Sequence, residues 1–218
     1  MYLTAEVRWF NKGSIPPAMM NWFTKIHLQV WIEAEHTDFY YSLPNDDTTG
    51  IKLRANRIEI KKRQAVEKSV RFTPLAIGAI ETLEKWSITL RPAEINFNEI
   101  AGDPIWVEVR KQRNLQRYQL SASLSPIPVA YHRRVPQGFT LELSQITIRQ
   151  EHWWTIAFEF YGIANIPITK IQNITREIVS SLPNLQLEPH SSFGYPQFLN
   201  RQPAHLEWYV KTLKNFRS

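Results

Sequence analysis

The 218-residue chain contains no cysteine. That excludes a disulfide framework, an iron–sulfur cluster, a thiolate zinc site and a cysteine nucleophile, and it agrees with a cytoplasmic protein. Glycine is scarce: the seven stand at 13, 50, 78, 102, 138, 162 and 194. No two are close enough for a dinucleotide fingerprint or a P-loop, and no Gly-x-Ser-x-Gly elbow occurs. Any bound phosphate must therefore be held by side-chain cations rather than by a glycine-rich backbone. No uncharged apolar run approaches the length needed to cross a bilayer. The start, Met1-Tyr2-Leu3-Thr4-Ala5-Glu6, has neither the basic region nor the apolar core of a secretion signal, so no membrane association is expected. With only four aspartates in the chain, carboxylate chemistry falls to glutamate.

Against these absences stand 26 Lys plus Arg and 20 Asp plus Glu, a net charge of +6. That balance favours a polyanionic partner. A hydrophobic content of 43% argues against disorder, and a chain of this length buries about 70% of its unfolded surface without needing a metal or disulfide. No internal repeat or long linker divides the sequence, which predicts one domain over residues 1–218.

Alternation of apolar and polar residues predicts strands over 2–10, 36–43, 50–54, 57–63, 85–90, 105–113, 116–122, 138–148 and 152–161. Ala55-Asn56 is expected to turn a hairpin between 50–54 and 57–63. Helical period predicts helices over 18–31, 169–182 and 203–216. The class is therefore α+β, mainly β.

The charges follow the pleat, because a strand sends alternate side chains to opposite faces. Lys52 and Arg54 share a face opposite Ile51 and Leu53. Glu59, Lys61 and Arg63 oppose Ile58 and Ile60. Lys111 and Arg113 share a face, Glu142 lies opposite Leu141 and Leu143, and Glu159 opposite Phe158 and Phe160. A half-buried sheet with a solvated polar face is the simpler reading. Two features favour another: charged faces recur on at least five strands, and the opposite faces are apolar enough to need covering. Helices packed outside would supply that cover and turn the charges into the lumen of a closed barrel. Lysines and arginines gathered there require counter-charges or a bound anion.

The succession Ala5-Glu6-Val7-Arg8, Thr37-Asp38-Phe39-Tyr40, Gly50-Ile51-Lys52-Leu53-Arg54, Ile58-Glu59-Ile60-Lys61, Glu84-Lys85-Trp86, Lys111-Gln112-Arg113, Leu141-Glu142-Leu143 and Phe158-Glu159-Phe160 resembles the CYTH, or triphosphate tunnel metalloenzyme, superfamily, and within it a divergent bacterial branch. The likeness runs from residue 4 to about 199 and rests on the order of the motifs. It implies a closed antiparallel barrel of about eight strands, forming a tunnel, with helices packed outside. It implies phosphate binding by Arg8, Lys52, Arg54, Lys61, Arg63, Lys111 and Arg113. Glu6, Glu142 and Glu159 become ligands for Mg²⁺ or Mn²⁺, and these three with Glu59 become the catalytic carboxylates. Ser192-Phe193-Gly194-Tyr195 resembles the late Ser-Tyr segment of the superfamily. The implied function is binding, with hydrolysis where the site is competent, of tripolyphosphate or a small organic triphosphate.

The chain departs from the superfamily pattern at its start. Thr4-Ala5-Glu6-Val7-Arg8 stands where the pattern is Glu-x-Glu-x-Lys, so one metal-binding carboxylate is replaced by a hydroxyl and a point cation by a planar fork. A catalytically degenerate binding module on the same fold is therefore an alternative. A second alternative is an RNA-binding protein, since residues 52–71 hold eight Lys or Arg against two Glu. However, Ile58, Ile60, Val107 and Val109 offer no stacking platform and no RNP-like motif appears. Glu81, Glu84 and Lys85 are expected to be solvated charges at an element end.

Overall fold

Strands dominate because β-branched and aromatic residues recur every second position through most of the chain. The computed structural model describes residues 1–26, 30–91, 96–103, 105–164 and 166–202; the expected helix over 203–216 lies outside them. In chain order the elements are β1 (Tyr2–Lys12), α1 (Pro17–Ile26), β2 (Trp31–Tyr41), β3 (Thr49–Arg54), β4 (Arg57–Thr73), β5 (Ala76–Thr89), α2 (Phe97–Gly102), β6 (Trp106–Leu120), β7 (Pro126–Val129), β8 (Gly138–Ile148), β9 (Glu151–Tyr161), α3 (Ile168–Val179) and α4 (Tyr195–Asn200).

The strands run antiparallel in the order β2-β3-β4-β5-β1-β9-β8-β6, and β2 pairs back onto β6. Eight strands thus close a barrel. Strand β6 is long enough to serve two neighbours along one edge: residues 106–115 pair with β2, and residues 117–120 with the short ninth strand β7. Closure removes the exposed sheet edges that an open antiparallel sheet would carry.

The outer face of β1, β9 and β8 is apolar and is roofed by two helices. Ala5, Val7 and Trp9 of β1 join Leu141, Leu143, Ile156, Phe158 and Phe160, and receive Met19, Trp22 and Phe23 from α1 and Ile171, Ile174 and Val179 from α3. Each large apolar side chain, fully buried, contributes about 1.5–3 kcal/mol. The Trp9 indole N–H donates to the Ile77 carbonyl at 2.9 Å, and that of Trp22 to Ser181 Oγ at 3.1 Å, so both buried rings keep their polar atom satisfied. Gly78 permits this packing, since a Cβ there would stand 2.6 Å from the Trp9 ring.

Several boundaries differ from the sequence expectation. Helix α1 ends at Ile26, and Trp31, expected to be helical, already opens β2. Strand β4 runs ten residues beyond Arg63, through register shifts between Arg63 and Ala65 and between Glu67 and Val70, with Ser69 at φ 55°. Such bulges break the two-residue alternation on which recognition of a strand depends. Strand β5 begins at Ala76 rather than 85, because Ala76 and Gly78–Glu81 are buried on both faces and so lack alternation. The two segments 105–113 and 116–122 are one strand, β6.

Candidate functional site

Residues of even number in β1 (Thr4, Glu6, Arg8, Phe10) point inward, as do the odd-numbered residues of β6 from Val107 to Arg117. The barrel interior therefore has two parts. At one end the inward residues are apolar: Phe10, Tyr40, Val107, Val109, Ile146 and Ile148 pack with Phe193, Phe198 and Leu199 from the segment leading into and forming α4. Phe198 stacks on Phe10 at 4.1 Å between ring centroids, and Trp153 meets Phe198 edge-on. This plug makes the interior a blind cup.

The rest of the interior is a cavity of about 460 Å³. Ten lysines or arginines and seven acidic residues line it, a positive excess. All eleven residues singled out from the sequence belong to it: Glu6, Arg8, Lys52, Arg54, Glu59, Lys61, Arg63, Lys111, Arg113, Glu142 and Glu159. The charged strand faces are therefore luminal, and the simpler reading of a solvated sheet face is overturned.

Inside, the charges form two networks, joined where Arg54 Nη1 stands 4.0 Å from Glu33 Oε1, and one further pair. In one, Glu6 accepts from Arg8 Nε at 2.6 Å and from Lys61 Nζ at 2.8 Å. Lys61 also reaches Glu159 at 3.0 Å, Lys85 joins Glu159 at 3.2 Å and Glu59 at 3.7 Å, and Lys52 meets Glu59 at 2.7 Å. Arg8 Nη1 continues to Glu142 and to Thr155 Oγ1, both at 3.1 Å, and Arg113 ties Glu142 to Glu33. In the other, Asp38, fully buried, accepts a two-pronged contact from Arg54 and a bond at 2.9 Å from Lys111. Lys111 also donates to Tyr40 Oη at 2.7 Å and lies 3.8 Å above the Tyr195 ring. Arg63 pairs with Glu81 at 2.7 Å.

These contacts set the protonation states. Burial would raise Glu6, but Lys61 and Arg8 outweigh it and hold it down to about 2. Burial pulls Glu59 upward too, yet Lys52 and Lys85 bring it down to about 2. Glu142, Glu159 and Asp38 are driven well below the usual carboxylate range by their cationic neighbours in spite of burial. Glu81 moves the other way: burial and the nearby Glu6 charge raise it against the pull of Arg63. Lys111 is lowered to about 7, chiefly by burial and with help from Lys52 and Arg54, while Asp38 opposes the shift.

Four buried polar atoms on the cavity wall have no partner among the described residues: Thr4 Oγ1, Arg117 Nε, Tyr161 Oη and Tyr195 Oη. Thr4 is only 1% exposed. Unsatisfied buried groups are rare, and their concentration around one cavity points to water or a ligand.

The three glutamates expected to hold a metal share the cavity, but protein cations lie between them. Lys61 bridges Glu6 and Glu159, and Arg8 bridges Glu6 and Glu142. Among the described residues no group of three or more His, Asp or Glu stands in a metal-holding arrangement. As placed, these residues do not fit a divalent ion.

Several cavity residues escape the sequence reading. Glu33, Arg57 and Arg117 line the cavity without having been singled out, although Arg57 shares the alternation of Glu59 and Lys61, and Arg117 that of Lys111 and Arg113. Glu81 and Lys85, expected to be solvated, line the cavity, whereas Glu84 faces out to Gln64. The strand alternation that serves elsewhere places Glu81 and Lys85 together once β5 is given its full length. The basic run 52–71 is split by the pleat: Lys52, Arg54, Lys61 and Arg63 turn inward, while Lys68 and Arg71 are exposed. No helix among the described residues is long and apolar enough to cross a membrane.

No protein-family model matches this chain, and no protein of curated function matches it. Neither comparison ties the chain to the triphosphate tunnel superfamily.

Proposed function

We propose that the barrel is a receptor for a small polyphosphate, a tripolyphosphate or an organic triphosphate, taken into the blind cup from its charged mouth. The observation that carries this reading is the gathering of all seven expected phosphate-binding cations around one cavity. The acidic residues between them offset the cost of burying so many cations without using up their donors. A guanidinium has five N–H groups and an ammonium three. Arg8 spends Nε on Glu6 and Nη1 on Glu142 and Thr155, leaving Nη2 for a ligand. Lys61 spends two donors and keeps a third. Arg57 and Arg117 have no carboxylate partner among the described residues, and both line the cavity. Phosphate oxygens would meet these remaining donors in charge-assisted hydrogen bonds.

The arrangement favours binding over turnover. The four candidate catalytic carboxylates, Glu6, Glu59, Glu142 and Glu159, are held ionised and weakly basic by paired cations, which argues against any of them as the base that activates water. The cup's volume lies within the range of small-ligand pockets. Thermal unfolding with tripolyphosphate, an organic triphosphate and orthophosphate, alongside phosphate release with Mg²⁺ and Mn²⁺, tests the reading. Stabilisation by the polyphosphates without release supports it. Release above the uncatalysed rate replaces the receptor with an enzyme, and absence of any shift removes polyphosphate binding.

A further inference from the structure

We infer that Lys61 and Arg8 act as built-in substitutes for a divalent metal, so that the cup selects the metal-free polyphosphate anion over its magnesium complex. The inference rests on the receptor reading and specifies the ionic form of its ligand.

Of the six carboxylate oxygens that would hold a metal, five are already taken. Both oxygens of Glu6 are engaged, Oε1 by Arg8 at 2.6 Å and Oε2 by Lys61 at 2.8 Å. Glu159 Oε1 receives Lys61 at 3.0 Å and Lys85 at 3.2 Å. Glu142 gives Oε1 to Arg8 and Ser144, and Oε2 to Arg113. A magnesium ion demands oxygen ligands at about 2.0–2.1 Å in a near-octahedral shell. Reaching Glu6 together with Glu142 or Glu159, it would have to displace the guanidinium or ammonium that joins them. Both of those cations come from strands of the barrel and cannot diffuse away, so the displaced charge would remain beside the incoming ion.

Thr4 points the same way. It shares the inward face of β1 with Glu6 and is buried, yet its hydroxyl has no partner among the described residues. The wall there supplies a neutral donor where a further carboxylate would have drawn a divalent ion. A hydroxyl can donate to a phosphate oxygen directly. The wall thus presents fixed cations and a donor to the anion, and magnesium already bound to the polyphosphate would neutralise the charge those groups recognise.

The experiment has two independent arms. Calorimetric titration of the wild-type protein with sodium tripolyphosphate is carried out in excess EDTA and again in excess MgCl₂. Binding is expected in EDTA, weakened by a factor of about ten with MgCl₂, the worth of one charge-assisted hydrogen bond. Binding that appears only with MgCl₂ overturns the inference while leaving the receptor reading intact. Absence of binding in both overturns the receptor reading, and the second arm then decides on the metal. In that arm Mn²⁺ is titrated into ligand-free wild type and into Lys61→Met, with free Mn²⁺ followed by electron paramagnetic resonance. The wild type is expected to leave the Mn²⁺ signal unchanged, and Lys61→Met, with Glu6 and Glu159 released, to diminish it. Should Lys61→Met fail to fold, the wild-type titration still decides: stoichiometric Mn²⁺ uptake by the ligand-free wild type overturns the inference.

Discussion

Lys61 Nζ lies 2.8 Å from Glu6 Oε2, joining β4 to β1 over the luminal face of β5, which separates those strands in the sheet. The pair is therefore a brace along the barrel's inner wall. Buried ion pairs add little net stability, because desolvation consumes most of their attraction, but removing one partner leaves a costly unpaired charge. That asymmetry governs how the barrel responds to acid and to the loss of a luminal carboxylate.

Acid should unfold the protein through this lumen. Glu6 and Glu59 fall from the ordinary 4.5 to about 2 in the folded state. The unfolded chain therefore binds protons first, so the stabilisation is complete above the ordinary value and is lost as pH falls from 4.5 toward 2. Each group is worth on the order of 3 kcal/mol over that window. Urea midpoints measured down the acid limb should drop steeply for wild type and less steeply for Glu59→Gln.

Asp38→Asn should be among the most damaging single changes. It leaves Arg54 and Lys111 without their shared carboxylate in the interior, at a cost of about 3–5 kcal/mol. Denaturant unfolding reads this directly, and the double variant Asp38→Asn with Lys111→Met should recover part of the loss.

Lys111 gives a pH dependence of the same sign in a higher window. Its folded value is lowered to about 7 from the ordinary 10.5. Between those values the unfolded chain binds the proton that the folded chain has shed, so this residue's contribution to stability rises with pH across that window. Lys111→Met should lack the rise. A bound polyphosphate favours the charged ammonium, so binding above about pH 7 should take up a proton and weaken as pH increases. Titrations in two buffers of different ionisation enthalpy measure the uptake.

Thr4→Val tests the unpartnered hydroxyl. The change keeps the side-chain shape and removes a buried polar atom that has no partner among the described residues. The ligand-free protein should gain about 1 kcal/mol, seen as a melting temperature about 2–4 °C higher. Polyphosphate binding should weaken at the same time.

The barrel and most of its lumen are legible in the sequence because alternation survives in β1, β3, β6, β8 and β9. There, placing one residue of a strand places its neighbours two apart, and Glu6 with Arg8, or Lys111 with Arg113, follow together. Legibility fails where the period breaks. Bulges and a left-handed Ser69 conceal the far half of β4, and burial on both faces conceals Ala76–Leu83, taking Glu81 with it. The plug is invisible for a different reason. Helix α4 spans only Tyr195–Asn200, too short to show a period, and its insertion is a contact between distant segments. Pairing within the lumen is equally non-local: nothing near Asp38 in sequence marks Arg54 and Lys111 as its partners.

Whether the interior cations receive a polyphosphate is decided by calorimetric titration of tripolyphosphate into wild type, Arg113→Met and the surface control Lys68→Met. One saturable site per chain is expected in wild type and Lys68→Met, with affinity at least about tenfold weaker in Arg113→Met. Equal affinity in all three proteins, or no saturable binding in wild type, would refute the receptor.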